Sequence, residues 1–223
     1  MSLLGSHLHC YVVTGEPQLI CKRAIPMVPF SMTQDPFALF RRWYKQAQRA
    51  GVPQVDAMAV ATADARGRPS VRFVLLKQAD ADGFVFYTRE TSRKGRELGG
   101  NPRAAGVFHW DAVGKQVRFE GVVEKVSLTE ADEYWRTRPR ESQLSAWASN
   151  QDAPLSSREV LVARWQTTRM RFRGRPVPRP PGWVGYRVVP DSIEFWTQRP
   201  WRLHQRELFT RARTGWKRKL LQP

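Results

Sequence analysis

The chain has 223 residues, of which 41% are hydrophobic and 11% aromatic, enough apolar material to build one ordinary domain with a packed core. This composition excludes wholesale disorder, and no apolar run approaches the roughly 20 residues of a membrane helix. The two cysteines, Cys10 and Cys21, exclude a disulfide framework and favour a reducing, cytoplasmic setting.

The formal net charge of +17 is concentrated in the last third of the chain. Residues 160–223 hold 15 Lys+Arg and 3 Asp+Glu, a net charge of +12. Such a surface can bind a polyanion, but it can equally neutralise small phosphorylated ligands. The tryptophans of this region do not alternate with cations as in a recognisable nucleic-acid module, so we do not expect a nucleic-acid partner.

The N-terminal stretch differs from the rest. Residues 1–31 have no clean hydrophobic period and lack the order of a secretory signal. We interpret them as a poorly structured tail or as the product of a mis-assigned start, with Met32 as the true first residue. Residues 32–223 are then a single domain. Its first helix is predicted to begin at Asp35-Pro36, to end at Gly51, and to bury one face made of Phe37, Phe40, Tyr44 and Ala47.

Short strands dominate after residue 57, separated by turns rich in Gly, Pro and Asp. The predicted strands are Ala57–Thr62, Val71–Gln78, Phe84–Thr88, Ala104–Trp110, Gln116–Val126, Gly185–Val189 and Ile193–Thr197, followed by a last segment Leu208–Leu220. Helices are predicted over Arg93–Leu98, from a capping box of Thr129 and Asp132 to Arg138, and from Ser156 or Ser157 through Phe172. Pro176–Pro181 is predicted as an extended linker. The pattern favours a mainly β antiparallel barrel with flanking helices.

Two segments are candidates for binding phosphate. Tyr87-Thr88 is followed by Ser92-Arg93-Lys94-Gly95, so hydroxyls and cations meet free N–H groups where a helix begins. Tyr134 and Arg138 share a helical face, and Ser142 follows just beyond it. From the residues alone, a solvated basic turn and a surface cation–π pair are equally good readings of these two segments.

Two further groups of charges are weaker candidates. Arg72 and Lys77 flank an apolar run and are five positions apart, so one of them must break the alternation or lie at a strand end. A charged residue that closes an apolar run often serves only to guard the edge. Arg202, His204 and Arg206 would share one side of an extended segment, which favours an anion among them. His7, His9 and Cys10 match no familiar zinc spacing, so we expect no metal site.

Taken in order, these motifs resemble the pyridoxamine/pyridoxine 5′-phosphate oxidase family over residues 35–223. The resemblance is carried by Arg72-Phe73-Val74-Leu75-Leu76-Lys77, Phe86-Tyr87-Thr88, Ser92-Arg93-Lys94-Gly95, Arg138-Pro139-Arg140-Glu141-Ser142-Gln143, Ala146-Trp147-Ala148-Ser149, Glu194-Phe195-Trp196 and Arg202-Leu203-His204. It implies an FMN-binding split β-barrel homodimer with FMN at the subunit interface. It also implies oxidation of a small phosphorylated pyridine by O2, giving pyridoxal 5′-phosphate and hydrogen peroxide.

The resemblance also implies roles for individual residues. The residues expected to bind FMN are Arg72, Val74, Leu75, Lys77, Tyr87, Thr88, Ser92, Arg93, Lys94, Gln116, Gln151, Trp196 and Arg206. The residues expected to bind the substrate are Lys77, Tyr134, Arg138, Ser142, Arg202 and His204, with Arg202 and His204 beside the reacting carbon as the catalytic pair.

The chain departs from the family pattern near this site. The usual Gln-Ser reads Gln151-Asp152, and the usual Arg-Leu-His-Asp-Arg ends in Gln205-Arg206. A carboxylate at residue 152 would disfavour a nearby anion unless it points away or pairs with an arginine. Two alternatives stay open. One is a related FMN oxidase of another substrate, of the phenazine-pathway type, against which the retained phosphate-binding residues argue. The other is a non-catalytic binder of pyridoxal phosphate or flavin.

Overall fold

The computed structural model describes residues 35–223. The interpretation of residues 1–31, the proposed start at Met32 and the group His7, His9 and Cys10 lie outside the described residues. No helix among the described residues is long and apolar enough to cross a membrane.

The first helix confirms the sequence prediction. Helix α1, Pro36–Arg49, starts where the Asp35 carboxylate accepts the backbone N–H of Phe37 at 2.8 Å. The face that the helix buries against the sheet includes Phe37, Phe40 and Ala47. The chain leaves the helix at Gly51, whose φ of 71° suits a glycine.

Nine antiparallel strands form one continuous sheet. They are β1 Ala57–Ala63, β2 Pro69–Leu75, β3 Gln78–Asp80, β4 Gly83–Arg89, β5 Arg103–Trp110, β6 Lys115–Lys125, β7 Trp183–Thr197, β8 Gln205–Arg211 and β9 Trp216–Leu221. The order is β2-β1-β5-β6-β7-β4-β3, with β8 paired to β7 and β9 to β8. The predicted fold class, mainly β with flanking helices, is therefore confirmed.

Aromatic side chains fill the space between the sheet and α1. Phe84 and Phe119 stack with their ring centroids 4.1 Å apart, and Phe40 meets Phe84 edge-on at 5.1 Å. Phe108 and Trp110 are buried in the same cluster. Burial of such large rings is the main stabilising term for a core of this kind.

One strand prediction was wrong at the C-terminal end. Two strands were expected on either side of Pro190-Asp191-Ser192, but β7 runs unbroken through them. Proline lacks a backbone N–H, which a strand tolerates at a bulge. The register of β6 against β7 shifts between Glu120 and Gly121, opposite this point, so the bulge lets the strand continue.

Four further helices follow in the described part of the chain. They are α2 Arg93–Gly100, α3 Leu128–Thr137, α4 Arg140–Ala148 and α5 Arg158–Arg171. The expected capping box of Thr129 and Asp132 is wrong, because the Ser127 hydroxyl caps α3 by accepting the Glu130 N–H at 3.0 Å. Helix α4 was not predicted, since Pro139 at its N-cap offers no side-chain acceptor. A second apolar cluster, which includes Trp135 of α3, Leu144 of α4 and Trp183 of β7, packs α3 and α4 against β7.

Candidate functional site

A cavity of about 1290 Å³ opens where β2, the end of β4, the start of α2 and the helices α3 and α4 meet. We call it the α2 cavity. Its lining combines seven cations with aromatic rings and hydroxyls. The predicted residues that line it are Arg72, Val74, Leu75, Lys77, Tyr87, Thr88, Arg93, Lys94, Tyr134, Arg138, Ser142 and Gln151. The topology thus brings together residues from most of the predicted phosphate-binding segments.

The start of α2 supplies a buried cation. Lys94 is 3% exposed, and its Nζ donates to Thr88 Oγ1 at 3.2 Å and to Ser92 Oγ at 3.4 Å. Burial lowers the pKa of Lys94, although Asp152 and Glu97 oppose that effect. An ammonium whose direct partners are two neutral hydroxyls retains the capacity to bind an anion. Ser92 itself is fully buried as the N-cap and does not line the cavity.

A buried carboxylate of α2 fixes Arg72. Glu97 accepts hydrogen bonds from Thr62 at 2.5 Å and Ser70 at 2.6 Å, and its ion pair with Arg72 measures 3.3 Å. Burial alone would raise the pKa of Glu97, but the hydrogen bonds from these hydroxyls, Arg93 and Arg72 lower it to about 2. The guanidinium of Arg72 is therefore held in one orientation by a charged partner from α2.

The segment after α4 reaches back to the start of α2. Gln151 Oε1 accepts the Thr88 hydroxyl at 3.1 Å, and Asp152 Oδ2 accepts the backbone N–H of Arg93 at 2.7 Å. Asp152 has a φ of 66°, in the left-handed region that aspartate tolerates better than most residues. The extra carboxylate therefore points into the predicted phosphate site, and its partner is the backbone of Arg93.

Three aromatic rings form the floor beside α3. Tyr87 stacks on Tyr134 at 4.2 Å and on Trp183 at 5.0 Å. Burial, with a smaller contribution from Glu130, raises the pKa of Tyr87 to about 12, so its hydroxyl stays protonated at neutral pH. Gly185 makes this packing possible, since a Cβ there would lie 2.6 Å from the Tyr87 ring.

Arg138 lies at the end of α3 with unused hydrogen-bonding capacity. Its guanidinium sits 4.9 Å from the centroid of Trp183 and 5.3 Å from that of Trp135, and it donates to the Ser142 carbonyl at 3.1 Å. Burial lowers the pKa of Arg138. Its Nε is buried without a hydrogen-bond partner among the described residues. These cation–π contacts leave donors of Arg138 available for a ligand, and its role in binding phosphate stays a prediction.

Lys77 lies just beyond β2, which is one of the two placements that its five-residue spacing from Arg72 allowed. Its Nζ is 3.1 Å from Asp56 Oδ2, so this cation has a carboxylate partner in the chain itself.

Leu75 is exposed at the mouth of the cavity, together with Val71 at 68% and Phe73 at 76% exposure. An apolar row this exposed on an edge strand is typical of a protein interface.

A second group of predicted residues lies outside the α2 cavity. Gln116, Trp196, Arg202, His204 and Arg206 are absent from its lining. The last four form what we call the C-terminal cluster, and Gln116 lies opposite Trp196 in the β6–β7 register. The ring of His204 lies 4.6 Å from that of Trp196.

The expectation that Arg202, His204 and Arg206 share one side of an extended segment is wrong. Pro200–Arg202 is a 3₁₀ turn in which Trp201 and Arg202 have φ values of 56° and 62°. Arg206 Nε donates to Glu194 Oε1 at 2.8 Å, and Glu194 is 4% exposed. The anion that Arg206 contacts in this chain is thus a buried carboxylate, whereas Arg202 is exposed.

Several lining residues were not predicted as site residues. They are Arg89, Arg96, Glu141, Ser145, Ser149, Asp152 and Trp183 among others. Glu141, Ser145 and Ser149 lie on or beside α4, the helix that was missed, so their approach to the cavity was not visible in the sequence. Among the described residues no group of three or more His, Cys, Asp or Glu could hold a metal ion.

Comparison with known proteins places this architecture. Residues 44–172 match the family described as pyridoxamine 5′-phosphate oxidase, and residues 183–223 match the pyridoxine 5′-phosphate oxidase C-terminal dimerisation region. The second match contains β7, β8, β9 and the C-terminal cluster. It supports assembly of this chain as a homodimer.

Curated relatives match along most of the chain. The pyridoxine/pyridoxamine 5′-phosphate oxidase of Rubrobacter xylanophilus is 53% identical over 85% of this chain and 87% of its own. The enzyme of the same name from Sphingopyxis alaskensis is 47% identical over 96% of this chain and 95% of its own.

Solved structures match the fold. PhzG from Burkholderia lata, in complex with tetrahydrophenazine-1-carboxylic acid, superposes with a TM-score of 0.82 at 36% identity, covering 86% of this chain and 95% of its own. An FMN-binding protein from Nostoc punctiforme shares the fold with a TM-score of 0.67 at 16% identity, covering 84% of this chain and 97% of its own. With the first family match spanning more than half of the sequence and relatives near 50% identity, the chain belongs to the pyridoxamine 5′-phosphate oxidase family.

Proposed function

We propose that this protein is an FMN-dependent oxidase that converts pyridoxamine 5′-phosphate or pyridoxine 5′-phosphate to pyridoxal 5′-phosphate, with O2 consumed and hydrogen peroxide released. Membership of the family and the names of relatives near 50% identity support the reaction. The observation in this chain that carries it is a single cavity lined by two cations with capacity for anions, the buried Lys94 and the half-buried Arg138, whose Nε has no partner among the described residues.

The donor set fits FMN. A phosphate monoester is close to a dianion at neutral pH, and it requires cations and N–H or O–H donors in fixed positions. Lys94, Arg93 and Thr88 provide these at the start of α2, where the helix dipole adds to the attraction. Arg72, Val74, Leu75 and Gln151 extend the same wall, and we propose that they hold the rest of the cofactor.

The opposite end of the cavity suits the phosphate of the substrate. Arg138 offers a partnerless Nε, and Tyr134 and Ser142 line the same wall. Two dianions in one cavity repel each other, so each needs its own cations. The separation of Lys94 on α2 from Arg138 at the end of α3 provides two such positions.

Bound FMN supplies the acceptor for the hydride that leaves the substrate carbon bearing the amine or alcohol, and O2 removes the two electrons as hydrogen peroxide. The protein itself positions the substrate. The stacked rings of Tyr87, Tyr134 and Trp183 form a rigid wall that excludes water beside the substrate phosphate. Arg202 and His204 are proposed to orient the pyridine ring, with His204 braced by its contact with Trp196.

We further propose that each active site is built from two chains, with the cofactor at the interface. None of the four residues of the C-terminal cluster lines the α2 cavity within one chain. Val71, Phe73 and Leu75 expose an apolar row at the cavity mouth, and residues 183–223 belong to the dimerisation region. A second copy that covers this row would bring its C-terminal cluster to the cavity.

The reaction is tested by anaerobic reduction of the bound flavin. The purified protein should be yellow, and pyridoxine 5′-phosphate or pyridoxamine 5′-phosphate should bleach it without oxygen, whereas unphosphorylated pyridoxine should not. Bleaching only by a carboxylated, unphosphorylated ring compound would favour the phenazine-type alternative, which the match to PhzG supports. A yellow protein that none of these compounds bleaches would be a non-catalytic flavin binder.

The two-chain site is tested by complementation between Lys94→Met and Arg202→Ala. Each variant alone should be nearly inactive. In a mixed dimer one site carries both changes and the other is intact, so random pairing should restore about a quarter of the wild-type activity. If both residues served the same site from one chain, every site would keep one defect and no activity would return.

A further inference from the structure

We infer that Asp152 acts as an internal competitor of the cofactor phosphate, by occupying the anion position at the start of α2. The inference rests on the proposed function, because it concerns the affinity of the α2 cavity for FMN.

The contact is specific. Asp152 Oδ2 accepts the backbone N–H of Arg93 at 2.7 Å, and Arg93 is the first residue of α2. Free N–H groups at this end of a helix are the ones that bind a phosphate oxygen. A carboxylate that accepts a hydrogen bond from one of these N–H groups compensates the positive end of the helix dipole, as a phosphate oxygen would.

The backbone positions Asp152 for this contact. Residues 150–153 form a turn closed by a hydrogen bond from the Ala153 N–H to the Asn150 carbonyl at 3.0 Å. Asp152 has a φ of 66° within it, and the neighbouring Gln151 is tied to Thr88 at 3.1 Å. The segment is therefore anchored on both sides of the carboxylate against the α2 cavity.

The carboxylate also acts on the buried cation. The negative charge of Asp152 raises the pKa of Lys94, against the larger lowering caused by burial. An incoming phosphate dianion must either share Arg93 and Lys94 with Asp152 or displace it, and both routes cost free energy. The cost falls on binding of the phosphate and leaves the isoalloxazine ring unaffected.

The test compares FMN with riboflavin, which has the same ring system and lacks the phosphate. Apoprotein is titrated with each flavin, and the affinity is measured by quenching of flavin fluorescence. Asp152→Asn preserves an oxygen acceptor and removes the charge, and Asp152→Gly removes the side chain. Both residues tolerate a positive φ, so neither change should strain the turn. Asp82→Asn removes one exposed carboxylate from the β3–β4 turn, outside the cavity, and serves as the matched control.

Both Asp152 variants should bind FMN more tightly by on the order of tenfold, with riboflavin affinity and the Asp82→Asn control unchanged. Equal FMN affinity in the wild type and both variants, or weaker binding in the variants, would overturn the inference and leave the proposed function intact. Failure of every form, wild type included, to bind FMN would overturn the proposed function and the inference with it.

Discussion

A buried carboxylate that binds two arginines lies beside the α2 cavity, and another lies beside the C-terminal cluster. Glu97 binds Arg72 and Arg93 of the α2 cavity, and Glu194 binds Arg118 together with Arg206 of the C-terminal cluster. The two regions differ in the surroundings of the remaining cation. The α2 cavity retains Lys94, buried against hydroxyls, whereas the C-terminal cluster leaves Arg202 exposed on a turn.

This difference indicates that the two regions have different roles. A buried cation beside hydroxyls is already desolvated, so it binds an anion without a large further cost. An exposed arginine on a 3₁₀ turn gains its electrostatic strength only when another surface covers it. We therefore expect changes in the α2 cavity to affect cofactor binding, and changes in the C-terminal cluster to affect turnover.

The largest effect is expected from Lys94→Met. Removing the buried ammonium should weaken FMN binding about a thousandfold, since loss of one partner from a buried charge pair costs ~4 kcal/mol. The thermal midpoint should not fall, because methionine fills similar volume without a buried charge. Flavin titration and thermal unfolding measure the two quantities. Lys45→Met on the exposed face of α1 is the control, and unchanged FMN affinity in Lys94→Met would remove Lys94 from the site.

Glu97→Gln tests the scaffold beneath the cavity. The pKa of Glu97 is about 2 in the folded protein and ordinarily near 4.5. A carboxylate whose pKa is lower in the folded than in the unfolded protein stabilises the fold at pH values above its unfolded pKa. That contribution is lost as the pH falls towards its folded pKa. The variant should lose on the order of 3 kcal/mol of unfolding free energy at neutral pH.

The difference between wild type and Glu97→Gln should shrink between about pH 4.5 and about pH 2. Urea unfolding of both proteins across this window measures it. Glu124→Gln, on the exposed side of β6, should show no such pH-dependent difference. A gap that stays constant with pH would mean that the carboxylate charge is not what stabilises Arg72 and Arg93.

Arg202→Ala tests the other region. We expect turnover to fall about a hundredfold through loss of substrate orientation, with FMN affinity within about twofold of wild type. Stopped-flow reduction of the flavin and flavin titration separate the two effects. If the variant released its flavin and its reduction rate were normal, the division between the two regions would be wrong.

The smallest effect concerns α3, which carries Tyr134. Ser127→Ala should lower the unfolding free energy by about 1 kcal/mol through loss of the cap, while Thr129→Ala should leave it nearly unchanged. Chemical denaturation measures both. Equal losses in the two variants would contradict the assignment of Ser127 as the capping residue.

Local chemistry made some features predictable from sequence. Asp35-Pro36 specifies a helix start, and Ser92 was correctly expected at the entry to α2. Both were predictable because capping depends on residues within one turn and not on the rest of the fold. The spacing of Arg72 and Lys77 allowed either a break in the strand alternation or a position at a strand end, and Lys77 lies just beyond the end of β2. The alternation of short strands and turns was sufficient to predict a mainly β sheet.

Long-range contacts decided the rest. Helix α4 has no capping side chain, and it packs through Leu144 into a cluster with Trp135 and Trp183, which are distant in sequence. The partner of Arg206 is Glu194 across the β7–β8 pair, and Asp152 reaches Arg93 from 59 positions away. The sequence by itself determined which charges and hydroxyls are present. Only the tertiary structure decided which cations are already neutralised and which remain for a ligand, because that depends on burial and on partners brought together by the fold.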